Sequence, residues 1–311
     1  MYAMADLTPR IAITVGDPAG IGPEIAVAAA ASAAVRAVCS PVIVGPHTQD
    51  DLAVFPRGRV SAAAGRSAYD TLVAAVHAAE RGEVDAIATG PISKEAFAAA
   101  GLHWKGHTDL LGHLTAAPQV AMMFYSEPLR VVLATVHVPL RDVPALVTTP
   151  LLVSLIELTH RSLPSFGYPH PRIAVAGLNP HAGEHGLMGD EDDGVILPAV
   201  AQGRALGIDV VGPLPGDTVF LRAVRGEFDV VVATYHDQGL IPVKLLAFGS
   251  SVNVTLGLPL VRTSVDHGTA FDIAGKGLAD ASSMVSATTL AARLVLARRA
   301  MFGRHATQTG T

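Results

Sequence analysis

Ile11-Ala12-Ile13-Thr14-Val15, followed without a break by Gly16-Asp17-Pro18-Ala19-Gly20-Ile21-Gly22-Pro23-Glu24, reads as a buried strand that turns straight into a helix. Pro23 suits the first helical position, where a missing N–H costs nothing. The same alternation runs outward to the end of the chain. Pro41–Val44, Ala86–Thr89, Met122–Tyr125, Leu129–Thr135, Arg172–Ala176, Val230–Ala233 and Val252–Leu256 are short aliphatic runs expected as strands. Helical patterns occupy Ala68–Arg81, Ser93–Ala100, Leu151–Ser162, Val195–Leu206, Leu240–Phe248 and Ser283–Ala300. Such alternation predicts an α/β fold, in which helices cover a largely parallel sheet.

The opening turn fails as a dinucleotide fingerprint. Counted from Gly20 and Gly22, the third glycine of G-x-G-x-x-G falls on Ile25, and the next strand ends at Gly45 where an acidic residue should meet a ribose. Two readings of Gly16–Glu24 therefore stand: a tight strand-to-helix connection, or a segment that faces a ligand.

The 311 residues are half hydrophobic, enough to build two modest cores. Lysine and arginine total 22 against 27 acidic residues, and no basic run exceeds Arg298-Arg299, which argues against nucleic acid as a partner. Mean hydropathy is +0.41, yet the apolar stretches are alanine-rich and interrupted. None offers the roughly 20 apolar residues of a membrane span, so no membrane partner is expected. One cysteine, Cys39, allows no internal disulfide, and the chain opens on neither a basic nor an apolar leader, so a cytoplasmic protein is expected. There is no low-complexity linker and no repeat, so any domain boundary is made by chain crossings. The residues after Phe302 are expected to fray.

Several segments carry candidate chemistry. Thr89-Gly90-Pro91-Ile92-Ser93-Lys94-Glu95 joins a strand to a helix, where amides and Ser93 could meet an anion or simply cap the helix. In Gly106-His107-Thr108-Asp109, a glycine permits close approach and two neighbouring side chains can donate to an oxyanion. Of thirteen histidines, three sit just after a strand: His137, His181 within Leu178-Asn179-Pro180-His181-Ala182-Gly183, and His236. Ligands collect at the carboxyl ends of strands in open α/β sheets, and three converging imidazoles would suit zinc, cobalt, nickel or iron. His47, His77, His103, His113, His160, His170, His185 and His305 have no such context. After His236 come Asp237 and Lys244, then Asn253 and Arg262, donors of the kind that bind phosphate and carboxylate.

Asp266-His267-Gly268-Thr269-Ala270-Phe271-Asp272-Ile273-Ala274-Gly275-Lys276-Gly277 is the densest polar and glycine-rich segment. It resembles the adenosine-binding loop of isopropylmalate and isocitrate dehydrogenases, which bind their nicotinamide cofactor without a Rossmann fingerprint. Together with Gly16–Glu24, Thr89–Glu95, Gly106–Asp109, Asn179–Gly183, Gly212-Pro213 with Asp217-Thr218, Tyr235–Lys244 and Val252–Gly277, it resembles the 4-hydroxythreonine-4-phosphate dehydrogenase family over nearly the whole chain.

The resemblance implies an isocitrate/isopropylmalate dehydrogenase-like fold of two α/β/α domains, about 1–118 with 265–311 and 119–264, with the active site in the cleft between them. It implies a homodimer with a shared active site, using NAD and one divalent ion per site, zinc, cobalt or magnesium. By resemblance His137, His181 and His236 are the metal ligands, one of them reaching across to the partner's site. His107, Thr108, Lys244, Asn253 and Arg262 match substrate-binding positions. Gly268, Thr269, Ala270, Asp272 and Ile273 match the cofactor loop, with Asp272-Ile273 favouring NAD over NADP. Asp217 and Asp237 match acidic residues near the site.

The reaction implied is oxidation of the 3-hydroxyl of a 4-phosphorylated hydroxy acid, 4-(phosphooxy)-L-threonine, to a β-keto acid that loses carbon dioxide and leaves 3-amino-2-oxopropyl phosphate. Lys244 and Asp237 are both candidates to accept the hydroxyl proton. Family members acting on 4-phosphorylated threonate or erythronate offer an alternative substrate. Leu240-Ile241-Pro242 departs from the leucine-proline order of some vitamin B6 enzymes, which bears on the substrate rather than the reaction. A metal-dependent phosphohydrolase and a non-catalytic sensor of phosphorylated metabolites are readings from other classes.

Overall fold

The computed structural model describes residues 8–308, with side chains through Met301. Two compact units are formed, one from Met1–Val120 with Val252–Thr311 and the other from Ala121–Ser251.

The first unit contains strands β1 (Arg10–Thr14), β2 (Ser40–Val44) and β3 (Ala86–Thr89), joined after the second unit by β9 (Val252–Leu256) and β10 (Val261–Ser264). Their order is β2-β1-β3-β10-β9, parallel except for β9, which runs antiparallel to β10. Both faces are covered, which is why β1 and β3 read as unbroken apolar runs. Ala12 and Ile87 pack with Ala75 and Val76 of the Ala62–Glu80 helix and with Leu111 of the His107–Leu114 helix. Residues one step along face the other way: the Thr263 hydroxyl donates to Ala287 O, 2.8 Å, in the C-terminal helix. Ile11, Ile13 and Ile87 are fully buried, each contributing about 1.5–3 kcal/mol.

The second unit holds β4 (Ala121–Tyr125), β5 (Arg130–Leu133), β6 (Ile173–Ala176), β7 (Val210–Leu214) and β8 (Val230–Ala233), in the order β4-β5-β8-β6-β7. β4 is antiparallel to β5, and the other pairs are parallel. Its core brings Val131, Ala174, Val231 and Ala233 against Val219, Phe220, Leu240 and Val243.

Three expectations need correction. The second unit ends at Ser251 rather than at residue 264, because β10 pairs in parallel with β3, Val261 opposite Ala86, and carries β9 with it into the first unit. β7 and β10 were not expected as strands: Gly212-Pro213 breaks the aliphatic run of one, and Arg262 interrupts the other. The C-terminal helix, Ser282–Gln308, continues past Phe302 instead of fraying there; residues 309–311 lie outside those described. Among the described residues no single helix is long and apolar enough to cross a membrane.

Candidate active site

Register in the first unit builds a polar row at the carboxyl ends of its parallel strands. Thr14 lies opposite Thr89, Thr89 opposite Ser264, and Ser264 opposite Asn253 at the start of the antiparallel β9. Side chains alternate along a strand, so Arg262 and Thr255, two residues from Ser264 and Asn253, share the face of that row. The bonds agree. Arg262 is 1% exposed, and its Nη2 and Nε donate to the Thr89 hydroxyl at 2.6 and 3.2 Å while Nη1 donates to the Thr255 hydroxyl at 2.9 Å. No carboxylate among the described residues pairs with this guanidinium. Burial alone pulls its pKa from 12.5 down to about 9, so it remains a cation at neutral pH.

The His107–Leu114 helix begins over the same row, with Gly106 at its N-cap. His107 is half-buried overall, but its Nε2 is shielded from solvent and has no partner. Burial, then the Arg262 cation, hold its imidazole well below the usual range, against a backbone hydrogen bond with Gly90 that acts the other way. Thr14 Oγ1, Thr108 Oγ1 and Asn253 Oδ1 are likewise buried without partners. Unpaired buried polar atoms cost about 1–3 kcal/mol each, so four of them on the row and the helix start above it, His107 within reach of the Arg262 cation, are suited to a polar ligand. A helix start adds its positive end.

The competing account of Thr89–Glu95 divides. Ser93 Oγ accepts from Ala96 N at 3.1 Å and is a helix cap, whereas Thr89 belongs to the polar row. Sequence reasoning missed Thr14 and Thr255, which carry no local signal apart from being threonines in apolar strands. It also missed the helical state of His107–Leu114, whose Gly-His-Thr start and interior Gly112 disguise the period.

In the second unit the three strand-end histidines follow β5, β6 and β8, which are neighbours in the order β5-β8-β6. Thr135 Oγ1 donates to Thr234 O at 2.8 Å, tying the end of β5 to that of β8. Gln238 Nε2 donates to Gly177 O at 2.7 Å, tying β8 to β6. The His137 and His236 rings approach to 5.5 Å between centroids. His236 begins the His236–Ala247 helix, earlier than the expected start at Leu240, and its Nδ1 bonds Asp237 Oδ1 at 2.7 Å. That bond engages Nδ1 and not Nε2, the pattern in which a carboxylate orients a ligating imidazole.

His181 is not drawn into this pair: no three metal-ligating side chains gather among the described residues. It stands in a left-handed turn, with φ of 53°, 55°, 76°, 42° and 57° from His181 to His185. Buried Asp192 supports that turn by accepting from Leu178 N at 2.9 Å and Asn179 N at 3.0 Å. Lys244 is exposed, about two turns along the helix from His236. Asp217 lies in the first turn of the Gly216–Val224 helix.

The Gly268–Gly277 segment is irregular, with Ala270 at φ 42° and Asp272 exposed. His267 Nε2 is buried without a partner at its start, and space is open where Gly268 would carry a Cβ, both compatible with a ligand lying there.

The family model described as pyridoxal phosphate biosynthetic protein PdxA matches residues 12–291. The chain belongs to that family. Among relatives in the PdxA family, a 4-hydroxythreonine-4-phosphate dehydrogenase of Beijerinckia indica is 47% identical, over 94% of this chain and 96% of that protein. A D-threonate 4-phosphate dehydrogenase of Cupriavidus necator is 44% identical over 95% of this chain and 100% of its own length. The solved 4-hydroxythreonine-4-phosphate dehydrogenase of Klebsiella pneumoniae, 42% identical, covers 95% of this chain and 99% of its own with a TM-score of 0.83. The PdxA-family chain is thus an α/β enzyme of the dehydrogenase class, which sets aside the phosphohydrolase and sensor readings.

Proposed function

We propose that the chain catalyses NAD-linked oxidation of the 3-hydroxyl of a 4-phosphorylated four-carbon hydroxy acid, with 4-(phosphooxy)-L-threonine as the substrate. The observation that carries this reading is the buried, carboxylate-free guanidinium of Arg262 with unpartnered His107, Thr108 and Asn253 polar atoms beside it. A phosphate group suits the cation and the free hydroxyl of that receptor. His107 serves a phosphate oxygen only as a donor, in the form that carries its proton on Nε2; Thr108 offers its hydroxyl and the start of a helix, and Arg262 supplies charge. Asn253 can turn its amide to donate. Lys244 is assigned to the substrate as a further cation.

NAD, when bound, would take the hydride of the secondary alcohol while the hydroxyl proton passes to a protein group, so that the products would be the ketone, NADH and a proton. The β-keto acid then releases carbon dioxide and yields 3-amino-2-oxopropyl phosphate. A divalent ion, zinc, cobalt or magnesium, would supply Lewis-acid polarisation of the reacting oxygen when bound. His137, His181 and His236 are assigned to hold it, a reading supported by the 5.5 Å approach of the His137 and His236 rings, and the site is assigned to a homodimer that shares it. Asp237 orients His236 and, with Lys244, is a candidate proton acceptor. Gly268, Thr269, Ala270, Asp272 and Ile273 are assigned to the cofactor, with NAD preferred because the Asp272 carboxylate repels a 2′-phosphate.

A second reading, 4-phospho-D-threonate or 4-phospho-D-erythronate as substrate, is favoured by the D-threonate 4-phosphate dehydrogenase at 44% identity. One assay tests both: NADH absorbance with 4-phospho-threonine, 4-phospho-threonate and 4-phospho-erythronate against their unphosphorylated parents, at fixed metal and NAD. Turnover is expected only in the phosphorylated set, 4-phospho-threonine fastest. Charge-assisted hydrogen bonds contribute roughly 1.5–3 kcal/mol each, so loss of the phosphate should cost several orders of magnitude in kcat/KM. Comparable rates with a free acid would overturn the assignment of the five donor residues.

A further inference from the structure

We propose that Glu24 is a positioning residue that clamps the Gly268–Gly277 loop, so that the Gly16–Glu24 turn serves the cofactor by bracing its loop and not by cradling it. This rests on the reading of that loop as the cofactor loop. Four successive amides around the turn are engaged by protein: Asp17 N donates to Pro91 O at 2.9 Å, Ala19 N to Asp17 Oδ1 at 2.9 Å, Gly20 N to Asp17 O at 3.1 Å, and Ile21 N to Thr269 O at 3.0 Å. They are not held out for a pyrophosphate, which is the work a dinucleotide fingerprint would give them.

Three segments interlock instead. A Cβ on Gly20 would stand 2.7 Å from Thr269 O, and one on Gly58 would stand 2.7 Å from Phe271 O, so both positions require glycine for the loop to lie this close. Gly58 N donates to Ala19 O at 2.8 Å, closing the set. At the far end of the loop the fastening passes to a side chain. Glu24 accepts from Gly275 N on Oε1 and from Gly277 N on Oε2, the latter at 3.2 Å. Gly275 and Gly277 have φ of 77° and 68°, a left-handed backbone open to glycine. Arg57 Nη1, 3.9 Å from Glu24 Oε1, flanks the carboxylate.

The loop has little else to fix it. Its internal bonds are turn bonds, Ile273 N to Ala270 O at 3.1 Å, Ala274 N to Phe271 O at 3.4 Å and Lys276 N to Ile273 O at 3.1 Å, and residues 275–278 are exposed. An irregular, exposed segment held by a few bonds sits at the low-stability end of local opening. A carboxylate that takes two of its amides at once sets its shape before a ligand arrives. Preorganisation of that kind is read in ligand affinity, because the ordering is not left to the binding step.

Glu24→Gln keeps size and removes charge and one acceptor; Glu24→Asp keeps charge but is one methylene too short to reach both amides. Each should speed hydrogen exchange of residues 270–277 in the protein without cofactor, at unchanged melting temperature. Each should raise KM for NAD roughly tenfold, about 1.4 kcal/mol, with kcat and KM for the phosphorylated acid little altered. Unchanged loop exchange in both variants would overturn the clamp. Full recovery in Glu24→Asp would do so too, since charge alone would then suffice. Faster loop exchange with unchanged KM for NAD would instead remove the cofactor from this loop, and the proposal's consequence with it.

Discussion

The two candidate centres differ in how much of each is finished within one chain. In the first unit Arg262 is 1% exposed and bonded to two threonine hydroxyls, and polar atoms of His107, Thr108 and Asn253 are buried without partners. In the second, His137 and His181 are exposed, and the rings of His137 and His236 meet while His181 stays apart in its left-handed turn. A phosphate receptor must desolvate donors ahead of binding, and folding alone can do that. An ion site gathers its ligands around a charge, so its geometry is completed by what it binds. The difference teaches that folding of one chain brings the Arg262 cluster together, whereas it leaves the three strand-end histidines ungathered among the described residues.

The largest effects should come from the centre left incomplete. Replacing His137, His181 or His236 by alanine should each remove most activity and most cobalt or zinc binding by titration, and exhaustive chelation should reproduce all three. Exposed or half-exposed positions of this kind change stability by only about 0.5 kcal/mol, so melting should move little. Asp237→Asn, which weakens the hold on His236, should lower metal affinity about 10- to 100-fold. Full turnover after chelation would erase the contrast drawn between the two centres.

Next in size is Arg262→Lys. Lysine keeps a charge but cannot span the Thr89 and Thr255 hydroxyls and still meet an anion in a fixed plane. kcat/KM should fall about 10- to 100-fold, the loss of one charge-assisted hydrogen bond. An undiminished value would mean that the receptor reads charge and not shape.

A cofactor swap should be smaller. Asp272 is exposed on its loop, so Asp272→Lys with Ile273→Tyr should shift preference toward NADP without disturbing the fold. The ratio of kcat/KM for the two cofactors measures it, and a wild-type enzyme already favouring NADP refutes the assignment.

Smallest is a pH effect on stability. Burial, and then the Arg262 cation, depress the His107 pKa well below 6.5. As pH falls below about 6.5 the unfolded chain takes up a proton that the folded chain refuses, so the unfolded state binds more protons and stability declines. The contribution is intact above that pH. The melting temperature of the ligand-free protein should therefore drop by about a few degrees in mildly acid solution, and His107→Gln should flatten the slope. Equal slopes would place His107 outside the shielded receptor.

The alternation of strands and helices, the failure of the first turn as a dinucleotide fingerprint, and the strand-end positions of His137, His181 and His236 were all legible in the sequence. Each is a local property, set by a period of two or 3.6 residues and by glycine and proline at fixed offsets. Only the tertiary structure decided that Arg262 lies fully buried on two threonines, that Ser93 caps a helix while Thr89 accepts from Arg262, and that Lys244 stays exposed. Those outcomes depend on register and crossing. Arg262 and Thr89 are 173 residues apart, and Glu24 and Gly275 are 251 apart, so no local window holds both members of either pair. Which polar atom loses its water is settled when the strand carrying it slides into register beside another, and that event is written in the pairing of β10 with β3, not in either strand alone.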